Sequence, residues 1–306
     1  MMKIFLVLCL VFSNFLLEGS VLEMQGMSKQ EYIKKIENLS IGQVWDIYLT
    51  IQTDLYFPKE HQFLTTLNSW DSAESLLDLG CGNGHYLHRL AHDEPRKSFV
   101  GIDNNTEHIS SAIDKYQSDQ VSFYTGNAME LQSSLVDTFD IAIFRFVLQH
   151  LSDPQEALRC AHRYLKKGGY IVIMDSCDGI RESSSTIQCL SEAMKLHNKI
   201  NQEKGMGNRN ISLELLRAFE NSQSMYEVSF SNIDREGKKV QDVVTFTSKK
   251  DRELTFHHTM LHLAILNKQW EIPVDFNQAY DEVYEKTQAD DFWLIPGMHY
   301  MILHRP

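Results

Sequence analysis

The feature that most restricts what this chain can fold into is the segment LLDLGCGNGHYLHRLAH, Leu76 to His92, and the alternation that it begins. A short apolar run carries an aspartate, three glycines follow within five residues (Gly80, Gly82, Gly84), and Tyr86, Leu87, Leu90 and Ala91 then recur at helical spacing. That order reads strand, glycine-rich turn, helix. The rhythm continues downstream. SFVGID (Ser98–Asp103) reads as a strand, TEHISSAIDKYQ as a helix with Thr106 as its N-cap, and VSFYTGNA and FDIAIFRF as two more strands. SDPQEALRCAHRYLKKGG carries the signals of a complete helix: Asp153 caps it, Pro154 takes the first turn, Glu156 closes a capping box and Gly168 stops it. YIVIMDS (Tyr170–Ser176) is then a fully apolar strand. Strands and helices that alternate through short connections call for an α/β fold, a parallel sheet covered on both faces.

Both flanks of this unit are helical in pattern. Tyr32, Ile33, Ile36 and Leu39, then Val44, Trp45, Ile47 and Tyr48, place helix over Ser28 to Ile51, with a second helix over Phe63 to Trp70. After Ser176 the sequence predicts helices in STIQCLSEAMKLHNKI and ISLELLRAFENS, a loop at NQEKGMGNRN, a strand in MYEVSFSNID, and helical character over about residues 240–290. A last strand lies in Phe292 to His304. The expected organisation is a helical lid at 28–70 and one α/β domain at 71–306, the helical insertion after the fifth strand covering the substrate. With 306 residues, 43% of them hydrophobic, the chain exceeds the roughly 100–200 residues of a typical domain and needs no staples to hold a core.

The glycine turn, Asp78-Leu79-Gly80-Cys81-Gly82-Asn83-Gly84, has the form D-x-G-x-G-x-G. A dinucleotide fingerprint would need glycine at position 85, where His85 stands. A carboxylate two residues before the first glycine would repel a pyrophosphate and would favour an ammonium and a sulfonium. Asp103 ends the next strand, 19 residues after Gly84, where an acidic side chain in such a unit reaches ribose hydroxyls. The ligand expected from these residues is a cationic nucleoside.

With these motifs in view, the chain resembles the class I S-adenosylmethionine-dependent methyltransferases, most closely over Ser75 to Ser176. LLDLGCGNG is similar to the first motif of that family, GIDNN to the acidic second, GNAMEL to the third, and FDIAIFRFVLQHLSDP with LKKGGYIVIMD to the fourth and fifth. The resemblance implies a Rossmann-like, doubly wound seven-stranded sheet whose last strand is antiparallel, with S-adenosyl-L-methionine as cofactor. By position, it implies that Gly80, Cys81, Gly82 and Gly84 line the methionine and ribose. Asp78 would orient the ammonium, Asp103 with Asn104 would hold the ribose, Asn127 and Ala128 would flank the adenine, and Phe144 and Arg145 would face the methionine. The family commonly has Asp where Asn127 stands; an amide carbonyl can still accept the adenine amino group.

The expected reaction is transfer of the methyl group to a small organic molecule. Net charge is −12 with no basic block longer than a pair, which disfavours nucleic acid as partner. A protein or RNA methyltransferase, and a cofactor-binding but catalytically silent regulator, stay open as alternatives. His150, just past the fourth strand, is the candidate base, against the alternative that it packs on the following helix. His257, His258 and His262 have spacing that could hold a metal, but no carboxylate stands among them, and no metal is expected. Trp45, Tyr48, Tyr56 and Phe57 are either lid or core. The five cysteines show no CxxC pair, and cofactor supply and reduced thiols suggest a cytoplasmic protein. The apolar run in residues 1–20 pulls the other way, toward a secretory signal or membrane anchor, unless the gene start is placed too early or the run is a buried helix.

Overall fold

A computed structural model describes residues 24, 26–204, 207–221 and 226–306; the signal-like stretch lies outside them. Within the described residues, helices α1 (Lys29–Asn38) and α2 (Ile41–Leu64) precede a central sheet unit. That unit runs β1 (Ser75–Leu79), α3 (His85–Asp93), β2 (Ser98–Asp103), α4 (Thr106–Tyr116), β3 (Val121–Thr125), β4 (Phe139–Arg145), α5 (Pro154–Tyr164) and β5 (Leu165–Ser176). The rest comprises β6 (Glu182–Ser183), α6 (Gln188–Lys204), α7 (Ile211–Asn221), β7 (Glu227–Ser231), α8 (Lys249–Trp270), α9 (Phe276–Gln288), β8 (Leu294–Ile295) and β9 (Met298–His304).

Seven strands form one sheet in the order β3-β2-β1-β4-β5-β9-β7. The pairs β1–β2, β2–β3, β1–β4 and β4–β5 are parallel, and β9 enters antiparallel between β5 and β7. The strand order reverses between β1 and β4, so a crevice opens beyond their carboxyl ends, where open α/β sheets bind ligands. The central strands are buried along nearly their whole length, which is why they read as continuous apolar runs.

Local chemistry sets most of the boundaries. Ser28 and Ser40 each close a capping box, with Glu31 and Gln43, so the N-terminal helical pattern splits into two helices at Leu39-Ser40. The second is longer than its sequence pattern, passing through Pro58 to Leu64, and the stretch expected as a separate helix to Trp70 is its end followed by turns. Asn105, not Thr106, caps α4: its Oδ1 accepts from the Glu107 and His108 amides and leaves Thr106 as first helical residue. Asp153 caps α5 as expected, but Glu156 accepts from Arg159 Nε at 2.6 Å instead of closing the box. Helix α5 ends at Tyr164, and Gly168, at φ 77°, lies inside β5. Helix α6 runs four residues into the expected loop. The last predicted strand divides at Pro296-Gly297 into β8, paired with β6, and β9 in the main sheet.

Helix α2 packs along α8, and α8 against α9. Polar residues Thr50, Gln52, Thr53, Asp54 and Glu60 are buried in α2, so this helix serves both the core and the crevice. No described helix is long and apolar enough to cross a membrane.

Candidate active site

The glycine turn is bent back over β2. The Gly80 and Cys81 amides both donate to Ile102 O, at 2.7 and 3.1 Å. Gly80, Gly82 and Gly84 all have positive φ (88°, 55° and 77°), the left-handed region that glycine enters without steric cost. A Cβ on Gly84 would stand 2.7 Å from the Phe123 ring and 2.8 Å from Ala112 Cβ. Gly84 therefore packs helix against strand and does not line the crevice, a correction to its expected place. A Cβ on Gly80 would meet Val147 at 2.3 Å.

Helix α2 latches this turn from the other side. Asn83 Nδ2 donates to Asp46 O, Asp46 Oδ1 and Thr50 Oγ1. His85 Nε2 lies 3.2 Å from Asp54 Oδ1, and Arg89 donates to the same oxygen at 2.6 Å. His85, the first residue of α3, is thus held by a helix 31 residues away in sequence.

Asp78, Gly80, Cys81, Gly82, Asp103, Asn104, Asn127, Ala128, Arg145 and His150 all line one crevice of about 350 Å³. Asp103 accepts the Gly82 amide on Oδ2 at 2.9 Å and the Asn105 amide on Oδ1 at 2.8 Å, tying turn to strand end. Asp78 is 2% exposed, and its Oδ1 has no hydrogen-bond partner among the described residues. Burial is the main cause that raises its carboxyl to about 7; Arg145 pulls it down and Asp103 and Glu60 push it further up. Asn127 reaches the crevice, but its Oδ1 already accepts from the Met129 amide at 3.0 Å and its Nδ2 donates to Glu130. The amide closes a turn, as Asn commonly does.

Phe144 corrects a second expectation. Successive strand residues point to opposite faces, so Arg145 reaches the crevice while Phe144, fully buried, packs in the hydrophobic cluster on the other side. The ring that the end of the fourth strand brings to the site is that of Phe146, whose φ of 58° turns it out of the strand path; Trp45 and Tyr86 line the same crevice. Arg145 donates from Nε to Glu60 Oε2 at 2.8 Å and lies 4.6 Å over the Tyr86 ring and 5.0 Å over Phe146. Glu60 is fully buried and its pKa is raised by desolvation, with Arg145 opposing.

A second cavity of about 400 Å³ opens from the first; Trp45, Leu49, Gln52, Phe146, His150 and Gln269 line both. Tyr48, Tyr56, His258 and His262 stand on its walls, with Tyr48 stacked on His258 at 4.5 Å. Phe57 is core, stacked on His61 at 5.4 Å. His257 points away and pairs with Tyr32 Oη at 3.0 Å. Among the described residues no group of three His, Cys, Asp or Glu could hold a metal ion. His150 is accessible from the cavities, yet the surrounding protein desolvates it and Arg209 repels its proton, so its pKa falls to about 4. The short 3-10 turn that presents it is fastened where Asp175 Oδ2 accepts the Gln149 amide at 3.3 Å. Asp175 itself lines neither cavity.

Glu60, Gln52, Thr53 and Phe146 escaped the sequence reading. A signal existed: in YLTIQTDLYFPKE polar residues, among them Gln52, Thr53 and Glu60, stand between the apolar ones around the whole helix, and a buried polar residue needs a partner.

Residues 70–251, more than half of the chain, match a family described as a methyltransferase domain. The chain belongs to the class I S-adenosylmethionine-dependent methyltransferases. A malonyl-[acyl-carrier protein] O-methyltransferase of Bacillus anthracis is 27% identical over 176 residues, 56% of this chain and 62% of that protein. A demethylmenaquinone methyltransferase of Chlamydia caviae is 28% identical over 103 residues, 34% of this chain and 44% of that one. The chain thus spans less than two thirds of the length of either relative. A putative sarcosine dimethylglycine methyltransferase from Galdieria sulphuraria, known as a crystal structure, overlays with a TM-score of 0.47 at 15% identity, covering 80% of this chain and 84% of that one.

Proposed function

We propose that the protein transfers a methyl group from S-adenosyl-L-methionine to a small organic acceptor held in the second cavity. One observation carries this reading: the crevice with the unpartnered carboxylate of Asp78 opens directly onto an aromatic-walled cavity through a six-residue junction. The residues present fit the donor. A buried carboxylate oxygen without a partner suits a ligand ammonium, and Gly80 and Gly82 leave the backbone bare beside it. Asp103 would accept from ribose hydroxyls after releasing one of its two amides, and Asn104 and Ala128 would flank the nucleoside.

When bound, S-adenosyl-L-methionine supplies a methyl group already activated by the positive sulfur. The protein's share is alignment, exclusion of water and, for a protic acceptor, removal of a proton. Trp45, Phe146 and Leu49 crowd the junction with apolar surface and displace water from it. Trp45 is pinned by its Nε1 donating to Gln269 Oε1 at 2.8 Å. His150 stands at the same junction as a neutral imidazole at physiological pH, free to accept a proton from the acceptor. Helices α2, α6 and α8 act as the cover of the acceptor cavity.

Isothermal titration with S-adenosylmethionine and S-adenosylhomocysteine tests the premise, and Asp103→Ala is expected to weaken both by roughly 10- to 100-fold, through lost charge-assisted hydrogen bonds. Absence of binding by either compound ends the reading. Transfer of a labelled methyl group into a metabolite extract then separates an enzyme from a silent binder.

A further inference from the structure

The second cavity continues past the junction into a third of about 350 Å³, and Asp178, Arg181, Leu190, Thr255, Thr259 and Leu294 line both. Among the described residues that line the two, the charged ones are Arg181, Lys195 and Arg209 against a single acid, Asp178. Asp178 is already committed. Arg209 donates to it from Nε at 3.0 and 2.8 Å and from Nη2 at 2.9 Å, so that pair is neutral. No described carboxylate lies within ion-pair distance of Arg181 or Lys195. A chain of net charge −12 therefore keeps two cations without an ion-pair partner, each with its outer part in solvent, at one end of this aromatic-walled cavity.

Three further observations locate a ligand at that end. Thr255 is 2% exposed, and its Oγ1 has no hydrogen-bond partner among the described residues. His258 Nε2 is likewise buried and unpartnered. Buried polar atoms of this kind cost free energy until a ligand meets them. The charge of Arg181 is felt inside the cavity: after burial, it is the leading charge that pushes His258 down to about 3, and it contributes to the lowering of His262 as well. Both imidazoles are therefore neutral, able to donate one hydrogen bond without competing as cations. Tyr48 stacks on His258 there, and toward the junction Tyr56 stands edge-on to Phe146 at 5.3 Å.

We infer that the acceptor is an organic anion: an oxyanion head, carboxylate or phosphate ester, bound by Arg181 with Thr255 and His258, on an aromatic or apolar body between Tyr48, Tyr56 and Phe146. The body spans the distance to the junction, so the methylated atom is at the end remote from the head, near Gln52 and His150. An amine acceptor is disfavoured, since a cation would meet Arg181, a cation of the same sign with no ion-pair partner on the cavity wall. The inference deepens the methyltransferase reading and rests on it.

The test uses the full chain loaded with S-adenosylhomocysteine and four probes with a common body: phenylacetate, phenyl phosphate, phenylacetamide and phenethylamine. Saturation-transfer NMR and competition titrations give their dissociation constants. At least one anion is expected to bind about tenfold or more tightly than the amide, as a charge-assisted hydrogen bond predicts, and the amine not at all. Which of the two anions binds better tells carboxylate from phosphate. In Arg181→Met the anion is expected to fall to within about twofold of the amide, and Thr255→Val to lose part of the same preference, while S-adenosylhomocysteine affinity stays unchanged in both. Equal binding of anion and amide, tighter binding of the amine, no binding of any probe, or a preference untouched by Arg181→Met overturns the inference. Failure of the protein to bind S-adenosylhomocysteine is a different result, which overturns the methyltransferase reading itself.

Discussion

Replacing Asp78 by Asn isolates the electrostatic core of the site. The carboxyl is 2% exposed and raised from 3.8 to about 7, burial first among the causes. A group whose folded pKa is raised stabilises the fold fully below its unfolded value and loses that contribution as pH rises through the folded value. The cost of the buried charge thus accumulates between about pH 4 and pH 7 and is complete above that. At 1.36 kcal/mol per unit, the shift bounds the total at about 4 kcal/mol, of which about 3 falls between pH 5 and 8. Relaxation and water entry reduce this, so the stability of Asp78→Asn relative to the parent is expected to grow by about 1–3 kcal/mol over that interval. For a chain of this size that is roughly 2–5 °C in Tm, read by scanning calorimetry of both proteins without ligand at pH 5, 6, 7 and 8. Titration of S-adenosylhomocysteine supplies the counterpart. Parent affinity should decline as pH drops below 7, because a ligand ammonium prefers the ionised carboxylate, and Asp78→Asn should bind weakly with little pH dependence. A Tm difference that is flat with pH, together with unaltered binding, would refute the reasoning.

Substitutions at three other residues probe the surroundings. Glu60→Ala leaves Arg145 buried without its 2.8 Å partner and is expected to cost about 3–5 kcal/mol by urea denaturation, whereas Glu60→Gln, which keeps an acceptor, should cost less. Gly84→Ala drives a methyl group into Phe123 and Ala112 at a φ of 77°; a loss of about 1–3 kcal/mol is expected from crowding alone, with chemical denaturation as the measure. His150→Gln should reduce the rate of labelled-methyl transfer about a hundredfold for a protic acceptor while S-adenosylhomocysteine affinity holds, and the parent rate should show no titration of this imidazole between pH 5.5 and 8.

The central unit was legible residue by residue because its causes are local. Asp153 and Pro154 start α5 through bonds within one turn, and period and apolar content mark β1, β4 and β5. Where a neighbour in sequence offered a competing bond, the reading slipped by one residue, as at Asn105, or lost its box, as when Glu156 turned to Arg159. The ten crevice residues named from motifs converge because glycine turn, second strand and fourth strand end at one sheet edge. Phe144 and Gly84 did not join them: one faces away by strand alternation, the other is spent on packing.

What the linear chain determined by itself, then, is the α/β rhythm, the placement of Asp78 and Asp103 at consecutive strand ends, and the character of a ligand that tolerates carboxylates. The tertiary structure alone decided which helix closes the turn, that Glu60 meets Arg145 across 85 positions, and that Arg181, Thr255 and His258 share a wall. Those pairings have no sequence period, since they arise only when α2 and α8 are laid across the sheet edge, and long-range contact is set by the packing of whole elements and not by the residues that happen to meet.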